Sequence, residues 1–129
     1  MSSETGKRIP DGQRGKTTGK AEASYGCRSK TGLQAYIAEA GANGALMFYP
    51  QEIRNYRDWT TIDIDLWRQY WFGMVNRGVM AQPYWWDEQW TISVQHTEAD
   101  IDKHIAAFQD IAASLAATQQ ERMGAVAAH

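Results

Sequence analysis

The stretch Gln82 to Trp90, Gln-Pro-Tyr-Trp-Trp-Asp-Glu-Gln-Trp, places three tryptophans, a tyrosine and two carboxylates within nine residues. Indole and phenol rings combine large apolar area with a polar handle, which suits interfaces and ligand walls. Asp87 and Glu88 are placed to face a cationic or amine-bearing ligand. The residue types alone leave three readings open: an interface, a ligand wall, or a hairpin folded into the core. Upstream, Arg54 and Arg57 stand three apart and could grip one carboxylate or phosphate together. The plainer reading pairs them with nearby acids such as Asp58.

Other chemistry is thinner. The run Gly12-Gln-Arg-Gly-Lys-Thr-Thr18 hints at a phosphate loop, but the first glycine of that motif falls on Pro10, and no buried strand precedes it. His96, His104 and His129 form no i, i+4 pair, so no metal site is assigned. His96 is read as ending a strand and His104 as lying on a helix face. Cys27, the single cysteine, has no base near it in sequence and is read as an inert thiol that cannot form an internal disulfide. This favours a reducing compartment, and the chain is expected to be cytoplasmic. It has neither an apolar run long enough to span a membrane nor an apolar N-terminal leader.

Charge divides the 129 residues in two. Residues 1–30 hold seven Lys and Arg against three Asp and Glu, a balance of +4. Residues 31–129 hold six against twelve, a balance of −6. The first segment carries only Met1, Ile9 and Tyr25 as large apolar residues, so it is expected to be a disordered basic tail. With one aromatic and no RNA-binding motif, it is read as a solvated tail rather than a nucleic-acid binder.

The domain is therefore residues 31–129, and its elements follow from periodicity. Leu33, Tyr36, Ile37 and Ala40 fall at helical spacing before Gly41, predicting a short helix. Residues 45–50 predict a buried strand ended by Pro50. Ile64, Trp67, Trp71, Met74 and Val75 predict a helix over about 64–77, capped by Asp63 and closed by Gly78, with Tyr70 off the buried stripe. Residues 79–83 and 90–95 predict two strands of a hairpin around the aromatic stretch. Thr97 and Asp100 form a capping box before Ile101, Ile105, Phe108, Ala112 and Leu115, predicting a helix to about residue 119 with a frayed end. The fold class is α+β: a small, mostly antiparallel three-stranded sheet with helices packed on one face.

The order of these residues carries a resemblance. Asn55-Tyr56, the run Met74-Val75-Asn76-Arg77-Gly78-Val79, Pro83, the acid after it, Ser93-Val94-Gln95-His96-Thr97 and Asp100-Ile101 follow one another as in class III, fold-type I aminotransferases. The region, roughly residues 28–118, resembles the C-terminal part of these pyridoxal-phosphate enzymes, nearest the glutamate-1-semialdehyde 2,1-aminomutase group. The resemblance makes the segment from Thr31 to Gly41 the end of a helix leading into a small domain. It implies that Gln82–Trp90 turns at the edge of an active site that takes an amino-acid-like substrate. Glu88 or Asp87 would then orient the substrate amine, Trp86 would form part of the wall, and Arg54 would help position a carboxylate.

The chain departs from that pattern in two ways. Trp86-Asp87-Glu88 replaces a Phe-Glu pair and is one residue longer, so the matching acid is Glu88 counted back from His96 and Asp87 counted forward from Pro83. The cofactor-bearing lysine, the acid at the pyridine nitrogen and most phosphate contacts belong, in the family, to a large domain that precedes this segment. Lys7, Lys16, Lys20, Lys30 and Lys103 have no buried strand–loop context to replace them. The resemblance therefore implies a fragment with no catalytic or cofactor-binding residue of its own, expected to be inactive alone. Its partner would be the missing large domain or a second copy. The alternative is a non-catalytic interaction module that uses the aromatic surface 84–90.

Overall fold

The computed structural model describes residues 30–86 and 88–127. All of the expected tail at 1–30 except Lys30, together with Asp87 and residues 128–129 with His129, lies outside the described residues. Two strands open the fold, β1 (Tyr36–Ala40) and β2 (Asn43–Met47), paired antiparallel from Tyr36 opposite Met47 to Ala40 opposite Asn43. The two-residue loop between them has positive φ (66°) at Gly41 only, the requirement of a hairpin turn with glycine in its first central position.

The helix expected over 33–40 is therefore corrected to a strand. Leu33, Ala35 and Ile37 are all buried and alternate with less buried neighbours, a period of two that the same residues carry alongside the helical one. Gly41, read as a helix terminator, serves the hairpin through the same freedom of φ. β2 also begins earlier than expected and ends at Met47.

Strand β3 is only Trp90–Thr91 and pairs with β2, giving the sheet order β1-β2-β3. Thr91 Oγ1 donates to Asn43 Oδ1 at 2.7 Å, and the Ile92 amide donates to the Ala42 carbonyl at 2.8 Å. The expected hairpin between 79–83 and 90–95 does not form. The backbone of 79–82 is committed elsewhere: the Val79 amide donates to Met74 O at 3.0 Å, and Gln82 O accepts the Trp71 indole N–H at 3.0 Å.

The helices obey the sequence more closely. A four-residue α1 (Tyr56–Trp59), not anticipated, is capped by Asn55, whose side chain accepts the Asp58 amide at 3.0 Å. Helix α2 (Ile64–Val75) starts at Asp63, which accepts the Leu66 amide at 2.9 Å. It ends in a Schellman closure: Gly78 at φ 72°, its amide bonded to Val75 O and that of Val79 to Met74 O. Helix α3 (Glu98–Ala127) has 30 residues, about 45 Å at 1.5 Å per residue, and continues through the segment expected to fray. Arg122 accounts for part of that extension, reaching back to Asp63 and Asp65 at 3.3 Å each.

One core joins the layers. Ile37 and Leu46, opposite each other in register, share a buried cluster with Leu66, Trp67, Tyr70 and Met74 of α2 and Ile101, Phe108, Ala112 and Leu115 of α3. Tyr70, expected off the stripe, is only 1% exposed, its ring edge-on to Phe48 and to Phe108, each at 5.9 Å. Trp71, expected in the core, is half-buried. Where α2 meets α3, a Cβ on Gly73 would come within 3.2 Å of Ile111, so the missing side chain sets how closely the helices approach. At Gly44, a Cβ would run into the Trp90 indole, which lies across the strand where a side chain would otherwise stand.

Two stability outcomes follow. Phe108→Asp or Leu115→Asp should destabilise the domain by about 3 kcal/mol or more, through an unpaired charge in the shared core; denaturant melts matching the parent would show that this face is not buried. Gly44→Ala should destabilise it by about 1–3 kcal/mol through overpacking against Trp90; an unchanged midpoint would show that the strand gives way freely.

Candidate functional site

The aromatic stretch is anchored at its ends and projects in its middle. Gln82 (3% exposed) and Trp90 (4%) are buried. Between them, the Trp85 amide bonds to Pro83 O at 2.8 Å and the Glu88 amide to Trp85 O at 3.2 Å, turning the backbone tightly. The Tyr84 ring packs edge-on against Trp71 at 4.7 Å and touches Trp67 and Phe72 at 5.9 and 5.7 Å. Trp85 and Trp86 stack at 4.1 Å, with Trp86 half-buried against the core and Trp85 outermost. Tyr84 and Trp85 remain 44% and 47% exposed, and Phe72 beside them 51%, so this is an open aromatic face rather than a folded-in hairpin.

Of the residues singled out from sequence, Trp86 and Glu88 lie together on this turn, and Glu88 is exposed. Arg54 lies elsewhere: among the described residues its polar contacts run to Glu52 (Nε to Oε2, 3.2 Å) and, through its amide, to Asp58 at 3.0 Å. Both partners lie within four residues of it in the chain, and nothing among the described residues brings Arg54 to Glu88. Asn55 spends its side chain on capping α1, and Tyr56 stacks on Trp59 at 5.5 Å while remaining exposed.

The structure also gathers a cleft that sequence spacing did not reveal. Residues 78–81, Thr91, His96, Asp100, Lys103 and His104 surround a space of about 290 Å³ beneath Trp90. His96 accepts the Ser93 amide at Nδ1 (3.0 Å), which fixes the neutral ring's proton on Nε2. His104 is buried, and Asp100 is held by the Thr97 amide at 2.8 Å and hydroxyl at 2.8 Å. These residues come from three separate segments, and only the fold of 79–81 back onto α2 brings the first of them to α3. Among the described residues there is no group of three His, Cys, Asp or Glu side chains able to hold a metal ion.

Lys103 is the described lysine nearest any such cleft. It is exposed, on the surface of a helix beside Asp100 and Asp102, with its amine over Gly78. Covalent cofactor chemistry needs a lysine held against the ring, with donors converging on a phosphate. These residues do not fit pyridoxal phosphate, and no catalytic step is assigned through it.

The Asp100 carboxyl is held below its ordinary range, first by the Thr97 backbone N–H, then by the Thr97 hydroxyl. A depressed folded-state pKa gives stabilisation that is full above the unfolded value, near 4, and lost as pH falls through the folded one. Carboxyl NMR should place the Asp100 midpoint below that of a free aspartate. Asp100→Asn should weaken the acid dependence of α3's first turn; a midpoint at the ordinary value would show that the capping box does not persist.

No protein-family model matches the chain. It is 31% identical over 80 residues to a glutamate-1-semialdehyde 2,1-aminomutase of Desulfatibacillum aliphaticivorans, a match covering 62% of this chain and 19% of the relative. It is 26% and 25% identical over 107 residues to the enzymes of that name from Desulfitobacterium hafniense strains Y51 and DSM 10664 / DCB-2, covering 83% of this chain and 25% of each. The resemblance read from the sequence is borne out. The chain spans only a fifth to a quarter of the length of these relatives.

Proposed function

We propose that this chain is the small C-terminal domain of a pyridoxal-phosphate-dependent aminotransferase or aminomutase, separated from the domain that carries the cofactor lysine. The observation that supports this most is the coverage: up to 83% of this chain aligns with 25% of a relative. In this reading the Gln82–Trp90 turn closes one side of a substrate site whose other side belongs to the large domain. Glu88 or Asp87 faces the substrate amine, Trp86 walls the pocket, and Arg54 meets a carboxylate once the complementary domain reshapes its surroundings. Glu88, exposed on the turn beside Trp86, supports this set, whereas Arg54 stands beside Glu52 and Asp58 and away from the turn.

A second reading rests on a separate observation. Tyr84 and Trp85 present close to half of their surface to solvent, beside exposed Phe72. A patch of this kind serves a non-catalytic interaction module as well as a pocket wall. Its partner would be the large domain or a second copy of this chain.

The chain alone should show no aminotransferase turnover. Incubation with pyridoxal phosphate, borohydride trapping and peptide mapping should label several lysines weakly, without one dominant site. Stoichiometric labelling of a single lysine at low cofactor concentration, with turnover of an amino donor, would overturn the fragment reading. Adding a lysine-bearing large domain from one of the relatives separates the two readings further. Activity that appears with that domain and falls on Glu88→Gln supports the pocket wall, whereas binding without activity supports the interaction module.

A further inference from the structure

Two buried side chains at the root of the aromatic turn carry polar groups that the fold does not use. Gln82 is 3% exposed and Trp67 1%. Neither the Gln82 side-chain oxygen and nitrogen nor the Trp67 indole N–H has a hydrogen-bond partner among the described residues. Trp71 ties the two together: it stands one turn after Trp67 on α2, and its own N–H is spent on the Gln82 carbonyl at 3.0 Å. Tyr84, two residues on from Gln82, packs its ring against both indoles, 5.9 Å from Trp67 and 4.7 Å from Trp71.

A buried amide with both ends unmade is costly, and such groups are rare in folded chains. The same molecule shows what a buried glutamine does when satisfied: Gln119 exchanges bonds of 2.7 and 2.8 Å with the backbone of Gln34. Gln82 and Trp67 together offer one acceptor and a donor on each side chain. An ammonium ion would leave both donors unmade, and a carboxylate would set the acceptor against a negative charge. Either would also bring an uncompensated charge into a buried place. A neutral amide matches the set: its N–H donates to Gln82 Oε1, and its carbonyl accepts from Gln82 Nε2 and Trp67 Nε1.

We propose that Gln82 and Trp67 form a binding site for a neutral amide group, as presented by a peptide backbone or a carboxamide, and that Tyr84 is its lid. The lid is lightly held. Tyr84 is 44% exposed, and the backbone bonds of the turn, from the Trp85 amide to Pro83 O and from the Glu88 amide to Trp85 O, stay within the turn itself. The ring can therefore swing away while α2 keeps its place. The site takes an uncharged group and uses neither Glu88 nor a cofactor, so it does not rest on the aminotransferase reading.

The test uses the full chain, labelled with nitrogen-15. The side-chain N–H signals of Gln82 and Trp67 are followed by NMR as N-methylacetamide, acetamide, methylammonium and acetate are added in separate titrations. Both signals should move along one saturation curve with the amides and stay in place with the two ions, while the amide of Gln119, already paired, stays in place throughout. A tighter response to N-methylacetamide assigns the site to a peptide backbone, and a tighter response to acetamide assigns it to a small carboxamide. Tyr84→Ala should lower the half-saturating amide concentration by about threefold or more, because the site is then open without displacing the ring. Gln82→Met should abolish the Trp67 response, with a thermal midpoint no lower than the parent's, since no side-chain hydrogen bond is lost. Equal responses to acetate or methylammonium, a Trp67 signal that no amide moves, or a resident water on both N–H groups that the amides do not displace would overturn the proposal. A Tyr84→Ala titration superimposing on the parent's would overturn the lid.

Discussion

The burial of one phenol ring holds the elements in register. Tyr70 is wedged edge-on between Phe48, at the end of the hairpin, and Phe108, midway along α3. Its own helix carries Trp67 to the aromatic turn, so sheet, both long helices and the candidate site converge on this ring. Burial at this depth also drives its ionisation far above the ordinary range, keeping the phenol neutral inside the core. An open-faced aromatic turn is sustainable because the rings behind it, Trp67 and Trp71, are fixed by this arrangement rather than by the turn itself.

The parts of the fold that local chemistry dictates were legible in the sequence. Asp63 and Gly78 bound α2, and Thr97 with Asp100 opens α3, because a cap is satisfied within a few residues of itself. The parts that depend on distant partners were not legible. Leu33 to Ala40 satisfies helical and alternating periods together, and only β2, reached through Gly41, decides between them. Residues 79–82 have strand-like composition, yet α2 claims both the Val79 amide and the Gln82 carbonyl. Tyr70 was misplaced because its stripe is wider than the one counted from Trp67 and Met74.

The candidate site divides along the same line. Trp86 and Glu88 are neighbours in the chain, so their proximity was readable. Arg54 is held near Glu52 and Asp58 by contacts just as local, and no spacing rule could have carried it to the turn. The cleft around His96, Lys103 and His104 is not legible in the sequence because its walls come from segments with no common period. The relatives are four to five times longer than the stretch they share with this chain.

The reciprocal bond between Gln34 and Gln119 has a kinetic meaning. The Gln119 side-chain amide pairs with the Gln34 backbone as one peptide group pairs with another, and the two residues lie 85 positions apart. Closing so long a loop is entropically slow, so this contact belongs to the late stages of folding. The last turns of α3, exposed along most of their surface and tied down by Gln119 and Arg122, form the natural unit of partial opening. Such an opening would release the residues leading into β1 and the last turns of α3 together, while the ring stack around Tyr70 stayed closed. The described part of the chain thus has a durable centre and one looser end, where its first and last described segments meet.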